Sequence, residues 1–384
     1  MLVACGGSLR DNTDLIPEGE ELDPSLFDDE GKDEGGNGGD DHGDHGDHGD
    51  NGDDGDDGLG AADDGGGPEC ISERFDLAAE PPSVMLVLDK SSSMSDQRWL
   101  DQGEPVTRWH SLYGVVSDLV TTYDSTIDFG ATLFPAAESG RYDQGFAAAC
   151  RVAEAPDVPT GPEASAAILD AIPGPDVAVQ GATPASAGMM TALQHLALAE
   201  EGPRAVLLVT DGLANCAHQE GSEMFLYDEG LPVVVEAAYE ELGIPTYVVG
   251  IDIRDEHVDY ANANAHEELD HVARVGGVPR EGGTAYYAAN DVEALDQAMD
   301  QIAARIECTV PLSTPVPEDA DFEITVDDTP MPEVSDCAAE DGWRFTDPAQ
   351  RSTIELCGQA CDALRVHGQM ELRVCEKGTI TPVP

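Results

Sequence analysis

Residues 83–94 have the sequence SVMLVLDKSSSM, a continuous apolar run of strand length that is followed at once by a carboxylate and three hydroxyl groups. An apolar run without alternation is typical of a strand that is buried on both faces, as in a parallel sheet covered by helices. The RAVLLVT run at 204–210 and the IPTYVVGI run at 244–251 have the same character. We therefore expect an α/β domain with a doubly wound, mostly parallel sheet.

The rest of the pattern predicts alternating strands and helices up to Cys308 and a different architecture after it. Strands are predicted at 83–88, 128–134, 151–156, 204–210, 244–251 and 286–289. Helices are predicted at 109–123, 162–172, 184–200, 231–242, 267–275 and 291–307. The Pro-rich remainder favours a small, disulfide-stapled β-rich module, with strands at 322–326, 343–345, 353–356 and 370–374 and a helical turn at 359–364. The expected α/β domain spans 70–308 and the module 309–384.

The net charge limits the classes of partner. The chain has 384 residues and a formal net charge of −60, from 18 basic and 78 acidic side chains. Such a surface repels phosphate groups, which disfavours nucleic-acid binding and docking on an anionic membrane through basic residues. It favours cationic partners and divalent metals instead.

The amino-terminal 69 residues are extreme in composition, with 23 acidic and two basic side chains and Asp-, Gly- and His-rich repeats. Almost nothing in the repeats can be buried, so we expect a disordered, solvated linker at 6–69. Capture of metal ions by the His and Asp repeats is the alternative.

The sequence begins MLVACGG, in which Leu2 to Cys5 resemble a bacterial lipobox. We interpret 1–5 as the remnant of a lipoprotein signal with Cys5 as the lipidated residue; the alternative is an ordinary free cysteine. No stretch of 18 apolar residues occurs, so we expect membrane contact only through this lipid anchor. These features predict an exported protein anchored to the bacterial outer membrane or cell surface.

Three loops after predicted strands contain oxygen-bearing side chains. The first has the pattern D-x-S-x-S with Asp89, Ser91 and Ser93; the GATP and TDG loops contribute Thr183 and Asp211. Ligands of open α/β sheets bind outside the carboxyl ends of the strands, where these loops should meet. Carboxylate and hydroxyl oxygens suit Mg²⁺, so the sequence predicts a cation site at this edge.

This combination resembles the von Willebrand factor A (vWA) domain family, over roughly residues 80–308. The resemblance implies a Rossmann-like fold and a metal-ion-dependent adhesion site formed by Asp89, Ser91, Ser93, Thr183 and Asp211. It implies bound Mg²⁺, with Mn²⁺ or Ca²⁺ as alternatives, and a protein partner whose Asp or Glu carboxylate fills an open position. The chain departs from the family at position 92, where it has Ser and bacterial members commonly have Gly.

The expected function is partner binding or adhesion at the cell envelope. The alternative is a structural or accessory subunit of an envelope assembly whose metal site is not used for ligand capture. We do not expect an enzyme, because the sequence has no G-x-S-x-G, P-loop or dinucleotide motif and no positioned nucleophile or base beyond the metal ligands.

Eight cysteines follow Cys5, and none forms a C-x-x-C pair, so zinc knuckles and a thioredoxin motif are not supported. An exported chain would form up to four disulfides, whereas a cytosolic one would hold buried free thiols. Cys150 and Cys216 both follow strands that end at the metal face, which favours their pairing. Since terminal bridges occur in some vWA members, Cys70–Cys308 is expected. The pairs Cys337–Cys357 and Cys361–Cys375 are a guess among the connectivities that remain.

Overall fold

The computed structural model describes residues 70–76, 81–101, 103–198, 202–218, 221–280, 282–312, 314–337 and 339–376. The expected lipobox with Cys5, the expected linker at 6–69 and the end of the expected C-terminal module lie outside the described residues. Within the described ranges, none of the helices combines the length and the apolar composition needed to cross a bilayer.

The described strands are β1 (Ile71–Asp76), β2 (Ser83–Asp89), β3 (Arg98–Asp101), β4 (Glu104–Thr107), β5 (Asp128–Phe134), β6 (Arg204–Thr210), β7 (Thr246–Ile251), β8 (His257–Val258), β9 (Ala263–Asn264), β10 (Tyr287–Ala289), β11 (Thr309–Pro311), β12 (Ala320–Val326), β13 (Thr329–Met331), β14 (Gly342–Phe345), β15 (Thr353–Cys357) and β16 (Gln369–Glu376). The described helices are α1 (Ser92–Asp96), α2 (Arg108–Thr122), α3 (Phe146–Ala149), α4 (Ser165–Ala171), α5 (Ala185–Ala197), α6 (Gly230–Leu242), α7 (Ala265–Val275), α8 (Val292–Glu307) and α9 (Gln359–His367).

The largest sheet has five strands in the order β10-β7-β6-β2-β5, all parallel. Its strand β2, which lies between β6 and β5, sends alternate side chains into two separate apolar cores. Val84, Leu86 and Leu88 pack in the core that contains residues of α2 and α8, and Met85 and Val87 pack in the core that contains residues of α5, α6 and α7. The expected α/β fold class, with a parallel sheet covered on both faces, is confirmed.

Two local predictions differ from the structure. The predicted edge strand at 151–156 is wrong: the segment makes no ladder, and only Val158 forms an isolated bridge, with Ala131. Pro156 and Pro159 flank this bridge, and proline lacks the N–H that a ladder needs. The structure also forms an unpredicted hairpin, β3–β4, between the D-x-S-x-S loop and α2.

The C-terminal module contains two antiparallel sheets, β1-β16-β12-β13 and β11-β15-β14, with α9 packed into their common apolar core. Strand β1 pairs with β16 in the register Ile71↔Val374. The expected domain boundary at residue 70 therefore needs correction, because residues 71–76 belong to the sheet of the module. The last α/β helix and the module also share a buried ion cluster, in which Arg305 Nε and Arg344 Nη2 each lie 2.7 Å from an oxygen of Glu355.

The described cysteines form four disulfides, which join Cys70 to Cys375, Cys150 to Cys216, Cys308 to Cys361 and Cys337 to Cys357. Two pairs are those expected from the sequence. The expected pairs Cys70–Cys308 and Cys361–Cys375 are wrong, because the β1–β16 ladder brings Cys70 beside Cys375, with Cα atoms 4.2 Å apart. Cys308 ends α8 and reaches α9 of the module at Cys361 instead.

We expect peptide mapping of the unreduced protein to recover the Cys70–Cys375 and Cys308–Cys361 pairs. Replacing Cys70 and Cys375 together by Ser should lower the free energy of unfolding by up to about 5 kcal/mol, because this bridge closes the longest loop. Urea unfolding measures the loss. The same variant should keep the cation affinity of the wild type, and recovery of Cys70–Cys308 peptides would contradict the assignment.

Candidate metal centre

The structure places all five predicted ligands at the carboxyl edge of the parallel sheet. Asp89 is the last residue of β2, and Ser91 and Ser93 lie at the start of α1. Thr183 lies two residues before α5, and Asp211 directly follows β6. Parallel strands bring these three loops together, as the sequence analysis expected.

The carboxylates and hydroxyls of two of these loops are in direct contact. Asp89 is fully buried; its Oδ1 accepts the N–H of Ser91 at 2.8 Å and its Oδ2 accepts the hydroxyl of Thr210 at 2.6 Å. The hydroxyl oxygens of Ser91 and Ser93 are 2.9 Å apart, and Ser93 donates to Asp211 Oδ1 at 2.6 Å. Each carboxylate is thus oriented by hydrogen bonds from neighbouring residues of the site.

Ser92, the departure from the vWA pattern, connects the first loop to the second. Its N–H donates to the carbonyl of Gly181 and its hydroxyl accepts the N–H of Gly181, both at 3.1 Å. Gly181 has φ +120°, and a Cβ there would lie 2.4 Å from Cγ of Pro135, so no other residue fits this position. Lys90 strengthens the same connection, because its Nζ donates to Ser139 Oγ at 2.8 Å and to a backbone carbonyl in the second loop.

Thr183 is held by the third loop through Asn215, a residue that the sequence analysis missed. The Thr183 N–H donates to Asn215 Oδ1 at 2.8 Å, and the Asn215 N–H donates to the Thr183 carbonyl at 2.9 Å. The disulfide between Cys150 and Cys216 joins the two segments that flank Thr183. Asn215 lies four residues after Asp211 and next to a cysteine, but no sequence pattern distinguishes it from an ordinary loop residue.

The electrostatics of the two carboxylates fit a divalent cation. Burial, together with the nearby charge of Asp211, raises the pKa of Asp89 to about 7. Burial also raises the pKa of Asp211, against the opposing effect of Arg108. Two ionised carboxylates without solvent need a compensating positive charge, and the nearby donors are hard oxygens suited to Mg²⁺. In the described part of the chain, no group of three or more His, Cys, Asp or Glu side chains is arranged to hold a metal, so this site depends on its hydroxyls.

Arg108 is a second functional residue that the sequence analysis missed. Its Nη1 donates to Asp211 Oδ2 at 2.8 Å and its Nη2 contacts Asp252, while the residue is only 5% exposed. It is the first residue of α2, next to the N-cap Thr107, where the helix dipole disfavours a cation. An arginine directly after a capping residue is the signal that could have indicated it.

The site opens on a cleft of about 640 Å³ that Ser93, Thr183 and Asp211 line. One wall contains three aromatic rings. The Tyr142 and Phe225 centroids are 5.1 Å apart, those of Phe225 and Tyr260 are 6.5 Å apart, and Tyr260 is 72% exposed. The arrangement offers an oxygen-lined floor for a cation beside an apolar surface for a ligand.

No family model matches the sequence, and no curated protein matches it. Several solved structures are similar to this chain. The pilus adhesin SpaC from Lactobacillus rhamnosus GG is 15% identical, with a TM-score of 0.44, over 80% of this chain and 41% of the SpaC chain. BatB from Bacteroides thetaiotaomicron is 17% identical over 58% of this chain and 98% of its own, with a TM-score of 0.36.

The vWF domain of Mfa5, the type V pili tip protein from Porphyromonas gingivalis, is a further neighbour. It is 11% identical, with a TM-score of 0.37, over 58% of this chain and 94% of its own. At such identities and TM-scores, these likenesses do not indicate what the present chain binds.

We expect the cation-free protein to become less stable as the pH rises from about 4 to about 7. The raised pKa of Asp89 means that the folded state binds its proton more tightly than the unfolded state, so this contribution is present below about pH 4 and lost through pH 7. Asp89→Asn should remove most of the loss, up to about 4 kcal/mol, because a neutral amide needs no compensating charge. Urea unfolding in EDTA between pH 5 and pH 8 measures it.

The matched control for the effect of the cation is Asp128→Asn, at the start of β5 and therefore at the opposite end of the sheet from the site; burial also raises the pKa of Asp128, so this variant should remove its own share of the pH-dependent loss. Mg²⁺ should raise the melting temperature of the wild type and of this control, but not of Asp89→Asn. If Asp89→Asn were less stable than wild type at pH 8 in EDTA, the assignment of Asp89 as an uncompensated carboxylate would be wrong.

Proposed function

We propose that this chain binds a protein partner by capturing an Asp or Glu carboxylate through Mg²⁺ held by Asp89, Ser91, Ser93, Thr183 and Asp211. Mn²⁺ and Ca²⁺ are the alternative cations. The observation that carries the proposal is the convergence of these residues at one sheet edge, where Ser93 and Asp211 are in hydrogen-bond contact and open on a cleft.

The composition of the donor set supports capture of an external carboxylate. Only two of the five side chains are carboxylates, and one of them, Asp211, already shares its charge with Arg108. When bound, Mg²⁺ supplies a positive centre that prefers six oxygen ligands, and a set with so little negative charge leaves it attractive to an anion. The side chains of Asp89 and Asp211 are pre-oriented by Thr210 and Ser93, so little ordering is needed on binding.

Export and anchoring are part of the same proposal. Four disulfides are typical of a protein that folds in an oxidising compartment, outside the cytosol. We place the chain at the cell envelope on this ground, and we propose a lipid on Cys5 that would hold it at the outer membrane or cell surface. The chain would act by binding rather than by catalysis: the described residues that line the cleft include no Cys, His or Lys, and their carboxylates are those of Asp211, Asp252 and Glu256.

We expect an immobilised peptide with one glutamate to retain the wild-type protein in Mg²⁺ and to release it in EDTA. Asp89→Ala should reduce retention at least tenfold, because it removes one of the two carboxylates that hold the cation. Asp128→Asn should bind like wild type. Binding that is unchanged by both EDTA and Asp89→Ala would overturn the proposal.

Chelation also separates the proposed function from its alternative. Co-purification of the chain with envelope proteins that is equally efficient in Mg²⁺ and in EDTA would favour the alternative hypothesis. In that hypothesis the chain is an accessory subunit, and its metal site takes no part in ligand capture. Hydrolytic turnover that depends on Asp89 would contradict the binding role.

The aromatic wall predicts a contribution to partner affinity that is independent of the cation. Tyr260→Ala removes the most exposed ring of the cleft and should weaken retention of a glutamate peptide with a neighbouring Phe about tenfold, as for an interface anchor. A glutamate peptide flanked by Gly should be affected little. Calorimetric titration with Mg²⁺ should show the same cation affinity in variant and wild type, and a loss of cation affinity would indicate a structural defect instead.

A further inference from the structure

Arg108 breaks three local rules at once. It places a cation at the first residue of α2, it is a buried charge with 5% exposure, and its Nε has no hydrogen-bond partner among the described residues. Its partner Asp252 has φ +49°, in the left-handed region that an aspartate seldom adopts. The ion pairs with Asp211 and Asp252 compensate the buried charge, and departures from local rules that neighbouring residues compensate tend to mark functional positions.

The contacts of Arg108 divide Asp211 into two halves. Asp211 Oδ2 accepts from the guanidinium at 2.8 Å, whereas Oδ1 accepts from Ser93 and faces the other proposed ligands. The positive charge of the guanidinium therefore offsets part of the negative charge of Asp211, a proposed ligand of the cation. The guanidinium does this without taking up a coordination position of the cation itself. Asp252 accepts a hydrogen bond from Nη2 of the same guanidinium, and its negative charge reduces the effect of Arg108 on Asp211.

We propose that Arg108 and Asp252 together set the residual charge of the metal centre, with Arg108 weakening cation binding and strengthening the bound cation's hold on an anionic ligand. This inference rests on the proposed function for its second half only. Asp89, Asp211, Asp252 and Arg108 together carry a formal charge of −2, to which the buried Lys90 beside Asp89 adds a positive charge that all the variants below keep. Without Arg108 the loaded centre would be more negative by one charge, and it would attract a carboxylate less strongly.

The proposal predicts that variants of opposite charge change the cation affinity in opposite directions, a result that a loss of packing would not produce. Arg108→Gln leaves a formal charge of −3, Asp252→Asn leaves −1, and the double variant restores −2. If Arg108 had only a structural role, its removal would weaken the binding of both the cation and the anionic ligand. The double variant would then bind no better than Arg108→Gln. Asp252 is 36% exposed at its side chain, so Asp252→Asn puts little of the fold at risk.

The experiment titrates full-length protein with Mn²⁺ alone by calorimetry, and then titrates the Mn²⁺-loaded protein with ¹³C-acetate by paramagnetic relaxation. Arg108→Gln should bind Mn²⁺ about tenfold more tightly and acetate about tenfold more weakly, and Asp252→Asn should shift both affinities in the opposite directions. The double variant should return to within about threefold of wild type. Arg108→Lys, which keeps the charge, should stay closer to wild type than Arg108→Gln in both titrations.

Arg274→Gln is the matched control, because it removes an exposed arginine from the last turn of α7 and changes the net charge equally. It should alter neither affinity by more than about twofold. Weaker Mn²⁺ binding in Arg108→Gln, or a double variant no better than Arg108→Gln, would overturn the inference. If the wild type binds Mn²⁺ but not acetate, carboxylate capture fails, and tightening of Mn²⁺ in Arg108→Gln still decides the role of Arg108 in cation binding.

Discussion

The site depends on the burial of one carboxylate, that of Asp89, at the end of strand β2 of the parallel sheet. Because Asp89 has no exposure to solvent, its charge depends on protein groups such as the hydroxyl of Thr210, the N–H of Ser91 and the nearby Lys90. The neighbouring loops are then fixed around it by reciprocal hydrogen bonds, Ser92 with Gly181 and Thr183 with Asn215. A buried charge thus sets the geometry of three loops that are distant in sequence.

Much of this arrangement could be predicted from the sequence, because it depends on strand patterning and on side chains that directly follow strands. The run SVMLVLD fixes a strand buried on both faces, and its terminal Asp89 marks the edge where ligands collect. Arg108 and Asn215 could not be predicted in the same way. Their roles depend on loop conformation and on contacts between residues more than thirty positions apart in the sequence. Hydrophobic periodicity and secondary-structure propensity carry no information about such contacts.

The C-terminal module shows the same limit for the disulfides. Eight cysteines allow many connectivities, and spacing alone does not select among them. The pairs that were expected correctly, Cys150–Cys216 and Cys337–Cys357, have separations of 66 and 20 residues and close the third-shortest and the shortest of the four loops. The pair Cys70–Cys375, separated by 305 residues, follows only from the antiparallel ladder of β1 with β16, which no local pattern indicates.

That ladder has a mechanical consequence. Tension that arrives along the chain before Cys70 meets a covalent bridge to Cys375 before it reaches β2. The load then passes into the last strand of the module, and from the module to α8 through Cys308–Cys361 and the contact of Arg305 with Glu355. A pull on the chain before Cys70 would therefore enter the α/β domain through its last helix rather than directly through the strand that ends in Asp89.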